Sequence, residues 1–294
     1  MRSVRLTAGC ALAVLLLSGC SGAAAGGEAA SGRFDSPFAL PLESRFVDLA
    51  LYGAAVDAFM AECMAESGLE YTVGTWDVNQ PAVHAFSALG YPNLERDVIE
   101  EFGYRAPRDP RLIEPPADLS GSIPPGEEER YAKAQQACTE ESRGPVPDIA
   151  SPANVLLQLN AKSQDMALED QRIRITTSVE RWRECVVKAD PPVGDAGGTP
   201  LDFRVSVLKT VDAREGWAGT GDSHMRPAPV DEVEAARIDV GCRQQSGYDE
   251  AFFSAVGEAQ ERLVTEHGEV LEGVEDSMNE IQLAIDHYVL EGQK

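Results

Sequence analysis

SPANVLLQLNAKSQDMALEDQRIRITTSVERWRECVVKAD, residues 151–190, decides the fold class. Leu168, Ile175 and Trp182 step by seven, and Arg172, Val179 and Val186 each follow four residues later. An alternating four–three stripe is the pattern of a helix packed on other helices. The stretch therefore predicts one long helix that carries Cys185 near its end and stops at Pro191-Pro192.

Helical spacing continues on both sides. Upstream, Leu42, Phe46, Leu49, Val56, Phe59 and Cys63 recur at three, four or seven, which predicts a helix from residue 42. Gly68 supplies its left-handed stop, and Leu69 is placed to pack back on the last turn. Short helices are expected over residues 81–89 and 94–102, each closed by a glycine, Gly90 and Gly103. Six prolines between residues 105 and 126 forbid long regular structure there. A helix then restarts with Glu127, Glu128 and Glu129 in its first turn, where carboxylates suit the helix dipole, and runs to Cys138.

Downstream, Thr199-Pro200 is a cap followed by proline at the first helical position. Residues 201–207 alternate apolar and polar and could form a strand. The cap and the Phe203, Val207, Val211 spacing favour a helix. Another helix ends at Cys242, and a last one is expected over residues 249–290. Its face holds Leu263, His267, Val270, Val274, Met278, Ile281, Ile285 and Tyr288. The fold class expected is all-α, a helical bundle with loop-rich insertions.

The two halves align. Glu62-Cys63-Met64 matches Glu184-Cys185-Val186, and the segment ending in Cys138 matches the one ending in Cys242. A long amphipathic helix follows each. This suggests a two-fold repeat, about 42–189 and 151–294, sharing the central helix. Four cysteines allow three connectivities. The alignment selects Cys63 with Cys138 and Cys185 with Cys242. A four-thiolate metal site is disfavoured, because no C-x-x-C pair or nearby histidine spacing accompanies these cysteines.

The N-terminus points to export. Arg2 and Arg5 precede an apolar run over residues 6–17, too short to span a bilayer but suited to a signal peptide. Leu17-Ser18-Gly19-Cys20 follows and resembles the bacterial lipoprotein box. That resemblance implies removal of residues 1–19, with Cys10, and diacylation of Cys20. Residues 20–41 then form a flexible tether, Ala-, Gly- and Ser-rich through residue 36, ahead of a helical domain over 42–294. An even number of cysteines in an exported chain reads as disulfides.

A further likeness rests on Cys63-Met64 with Gly68 and Tyr71 downstream, and on Trp182-x-x-Cys185. Behind a lipoprotein box, these residues resemble a group of uncharacterised lipoproteins from high-GC Gram-positive bacteria. Val186 stands where that pattern has methionine after the second cysteine. The resemblance implies a lipid anchor on the outer face of the cell membrane and a helical, disulfide-bonded body. It implies no activity.

The formal charge is −24, from 25 basic and 49 acidic side chains. Such a surface repels phosphate backbones, which argues against a nucleic-acid partner, and suits a soluble envelope protein or a basic partner. Catalytic constellations are hard to find. His267 and His287 lie twenty residues apart, about 30 Å along one helix, so they cannot share a metal. Asp222-Ser223-His224 are adjacent, and adjacent side chains cannot relay a proton. Acidic neighbours such as Glu62 with Glu66, or Glu269 with Glu272 and Asp276, read as solvated helix faces. No cofactor is expected. Trp76, Tyr91, Tyr104 and Trp217 fall in connectors and form a candidate binding groove. The expected role is non-catalytic: binding or accessory work at the envelope, for example beside a transport protein. The alternative is an envelope hydrolase that uses its acidic residues.

Overall fold

The computed structural model describes residues 33–105, 109–113, 123, 126–218 and 226–291. Among them the regular structure is almost wholly helical, with α1 (Leu49–Glu66), α2 (Arg96–Phe102), α3 (Glu128–Glu141), α4 (Ala150–Asp170) and α5 (Arg172–Ala189) in the first part. The second part contains α6 (Pro200–Glu215), α7 (Val230–Ser246), α8 (Tyr248–Glu266) and α9 (Gly268–Ile285). Among the described residues one ladder pairs β1 (Thr75–Trp76) antiparallel to β2 (Leu112–Ile113), with Thr75 opposite Ile113.

Capping chemistry sets the helix boundaries. The Asp48 carboxylate accepts the amides of Ala50 and Leu51 at 3.0 and 3.1 Å, so α1 starts at Leu49 instead of residue 42. It stops where Gly68 takes φ +68° and the Leu69 amide donates to the Met64 carbonyl, burying Leu69. Residues 81–89 are not helical, so His84 lies in a turn-rich loop. Their amides go elsewhere: Ala88 and Leu89 donate to the Glu43 carboxylate at 2.6 and 3.0 Å, and Ser87 donates to the Tyr91 carbonyl. Residues 201–207 are helical. Thr199 and Asp202 form a reciprocal capping box across Pro200 at the first helical position, and Phe203, Val207 and Val211 are fully buried.

Both long helices expected from the sequence are broken. The central one is interrupted at Gln171 (φ −117°, ψ 21°), which leaves Leu168 exposed while Ile175, Trp182 and Val186 stay buried. The last one is interrupted at His267 (φ −112°, ψ 27°) and finishes in a π-helical turn, Asp286–Glu291. After that break Leu271 is buried and Val270 is exposed.

α4 and α8 pack closely and antiparallel. The ion pairs Lys162–Glu266, Asp170–Arg262 and Arg174–Glu250 run in opposite order along the two segments. Two main cores result. The larger joins α1, α4, α8 and α9, through side chains such as Phe59, Leu156, Val256 and Ile281. The smaller joins α2, α5, α6 and α7 around Trp182 and Phe203, whose rings meet edge to face at 6.0 Å. A third, small cluster of Met60, Met64, Leu69 and Cys138 surrounds the first disulfide.

The disulfides are Cys63–Cys138 and Cys185–Cys242, with Cα separations of 5.8 and 5.5 Å. Each ties a helix to the second helix after it, α1 to α3 and α5 to α7. They do not by themselves establish a repeat, because the connectors differ: the first contains the strand pair and α2, the second α6.

Residues 33–41, expected to belong to the tether, are packed on the bundle. Phe34, Leu40 and Leu42 are buried in the larger core, and the Leu42 amide donates to the fully buried Gln260 at 2.9 Å. A Cβ on Gly257 would stand 2.2 Å from the Phe34 ring, so α8 needs glycine there to seat it. Apolar burial fixes this strap, and a run of Ala, Gly and Ser just before it hid the change of character. Cys20 and the leader lie outside the described residues, as does His224.

Candidate functional site

The α7–α8 corner is built on a buried charge network. Asp239 of α7 is fully enclosed and accepts from Trp182 Nε1 at 2.8 Å, Tyr104 OH at 2.9 Å and Arg243 Nε at 3.1 Å. Burial pushes its carboxyl above the ordinary range, while Arg243, Tyr104 and Trp182 pull it back. Two turns before Asp239 on the same helix face, fully buried Glu232 takes Arg105 Nη2 at 2.7 Å and the Tyr104 amide at 3.2 Å. Arg105 also pairs with Asp212 at 2.8 Å and lies over the Trp217 ring. Gly103 (φ +58°) permits the turn, since a Cβ there would press on Glu232 and Ala228 at 3.1 and 3.0 Å.

Arg243 carries this network to the surface. Its Nε is held by Asp239 and its Nη1 by Asp249 at 2.8 Å, and its guanidinium lies over the Tyr248 ring. Gly247, at φ +68°, turns the chain from α7 into α8 and places Asp249 and Glu250 in the first turn.

Over this corner opens a cleft of about 500 Å³, within the size range of small-ligand sites. Its walls come from three places. The strap supplies Asp35, Pro37 and Phe38; the segment entering α2 supplies Asn93, Leu94, Glu95 and Arg96; α7 and α8 supply Arg243, Asp249, Glu250 and Phe253. Arg96 is engaged with Glu100 at 2.8 Å, and Glu250 with Arg174 at 3.1 Å. Among the described residues, Asp35 and Glu95 make no ion pair.

The four connector aromatics do not form one groove. Tyr104 and Trp217 belong to the smaller core, whereas Trp76 and Tyr91 pack against the larger. Tyr91 is wedged between Phe252 and Phe253, and its hydroxyl bonds Asn160 and Gln164 at 3.1 and 2.8 Å. Burial raises its pKa to about 12. An aromatic in a connector signals burial as readily as exposure, and here Tyr104 is buried while Trp76, Tyr91 and Trp217 are partly buried against the cores. The cleft residues carried no motif in the sequence; Gly247 between two helical stretches was the single available sign of a sharp corner.

Among the described residues no three His, Cys, Asp or Glu side chains converge as a metal site, and no helix is long and apolar enough to cross a membrane. Glu232 and Asp239, two carboxylates whose pKa is raised, are sealed behind Arg105 and Arg243. No family model, curated protein or solved structure matches the chain.

Proposed function

We propose that the chain is a lipid-anchored protein of the outer face of the cell membrane with a non-catalytic binding or accessory role, exercised through the cleft at the α7–α8 corner. The observation that carries this reading is the cleft's construction. Its floor, Arg243, is fixed by Asp239 and Asp249, and its walls mix Phe38, Leu94 and Phe253 with a few polar groups. Such a site holds a ligand in place, while the two carboxylates whose pKa is raised by burial, Glu232 and Asp239, are enclosed away from it. Cys20 and two disulfides fit an oxidising compartment reached by export. A transport protein of the same membrane is a natural partner for a body held there.

Two measurements test the reading. Cys20→Ala should abolish palmitate labelling and release the chain from the membrane fraction; a variant that stays there refutes the anchor. A photoreactive side chain in place of Phe38 should capture one envelope component reproducibly. Labelling spread evenly over abundant envelope proteins would refute the binding site.

A further inference from the structure

The cleft's charge and apolar surface together specify an occupant, and this inference rests on the binding role assigned above. Six charged side chains line it. Both cations are already committed, Arg243 to Asp239 and Asp249, Arg96 to Glu100. Two of the four carboxylates are likewise engaged, Asp249 by Arg243 and Glu250 by Arg174. Asp35 and Glu95 are left over, one from the strap and one from the segment entering α2, and Pro37, Phe38, Leu94 and Phe253 line the same cleft. Surplus negative charge beside apolar walls attracts a cation that also carries hydrocarbon.

We propose that the cleft docks a short segment of a partner protein that presents a lysine or arginine next to an apolar side chain. The ammonium or guanidinium lies between Asp35 and Glu95, and the apolar neighbour rests on Phe38 and Phe253. A peptide segment fits better than a free amine for two reasons. The cleft is formed by three separate chain segments and is open to solvent. The strongly acidic chain, at −24 over its full length, also steers a basic surface toward it.

The test uses the full-length, detergent-solubilised lipoprotein and calorimetric titration with acetyl-Phe-Lys-Leu-amide. The peptide with Glu in place of Lys, and free lysine amide, serve as comparison probes. The lysine peptide should bind, and the glutamate peptide should bind at least tenfold more weakly. The combined Asp35→Asn, Glu95→Gln variant should lose at least tenfold in affinity for the lysine peptide. Glu269→Gln, an exposed change on α9, should leave that affinity unaltered. The proposal is overturned if the lysine peptide does not bind, if the paired variant loses no more than Glu269→Gln does, or if lysine amide binds as tightly as the peptide. Photocapture from position 38 separates this failure from failure of the binding role. Capture that persists in the paired variant would retain a binding site and reject a cationic segment as its occupant.

Discussion

Asp239 shows how one buried carboxylate organises a neighbourhood. Three donors from three places, Trp182 on α5, Tyr104 after α2 and Arg243 on α7, converge on its two oxygens. Removing the acceptor leaves the buried Arg243 Nε and two further donors unpaired, with Asp249 alone still holding the guanidinium, the costly half of burying charge. Asp239→Ala should therefore destabilise the fold by about 3–5 kcal/mol in urea unfolding. Tyr104→Phe, which deletes a single donor, should cost about 1 kcal/mol. A second carboxylate, Asp48, gives a pH signature. Burial raises its pKa, but hydrogen bonds and charge from Arg111, with the Leu51 amide, bring it below the ordinary value. A carboxyl depressed in the fold contributes stability above its unfolded pKa of about 3.9, and that contribution is lost as pH falls through the folded value. Asp48→Asn keeps an acceptor for the α1 cap while discarding the charge. Its melting temperature should lie below wild type at pH 6, and the gap should close below about pH 4.

At the scale of elements, the strap and the helix breaks explain what periodicity missed. Phe34 enters a notch that exists because residue 257 has no side chain. Gly257→Ala must push the ring aside, which should cost about 1–3 kcal/mol and accelerate amide exchange over residues 34–42. Unchanged exchange there would mean that the strap is held by Leu40, Leu42 and Gln260 alone. The stripe in residues 151–190 predicted helical structure correctly but not its continuity. A break at Gln171 or His267 leaves the flanking turns helical, so spacing on either side still reads as one face. The short loop over residues 81–89 failed for another reason. Glu43, more than forty residues earlier, takes its amides, and a competitor that distant has no trace in local spacing.

For the whole molecule, the two disulfides pin the two cores separately. Cys63–Cys138 spans 75 residues beside the larger core and Cys185–Cys242 spans 57 within the smaller. Closing loops of this size contributes about 4 kcal/mol each in the chain-entropy model. Replacing Cys185 and Cys242 together by Ala should lower the unfolding free energy by about 2–4 kcal/mol. Amide exchange should accelerate more in α6 and α7 than in α1 and α9. Uniform acceleration would show that the two cores unfold as one unit, coupled where α5 and α7 pack on α8.

Some of this protein was already written in its residues. Heptad-like spacing marked the all-α class because side chains three and four apart must share a helix face. The cap at Thr199-Pro200 settled the one segment that alternation left open, since capping acts within a single turn. The alignment of the halves singled out the cysteine pairing adopted in the structure. The cleft, the strap and the fate of the aromatics depended on the tertiary structure. Asp35, Glu95 and Arg243 are far apart in the chain, and Phe34 finds its notch on a helix more than two hundred residues away. Contacts at that separation are fixed by packing whole faces together, and no local pattern encodes which surplus charge will be left facing water.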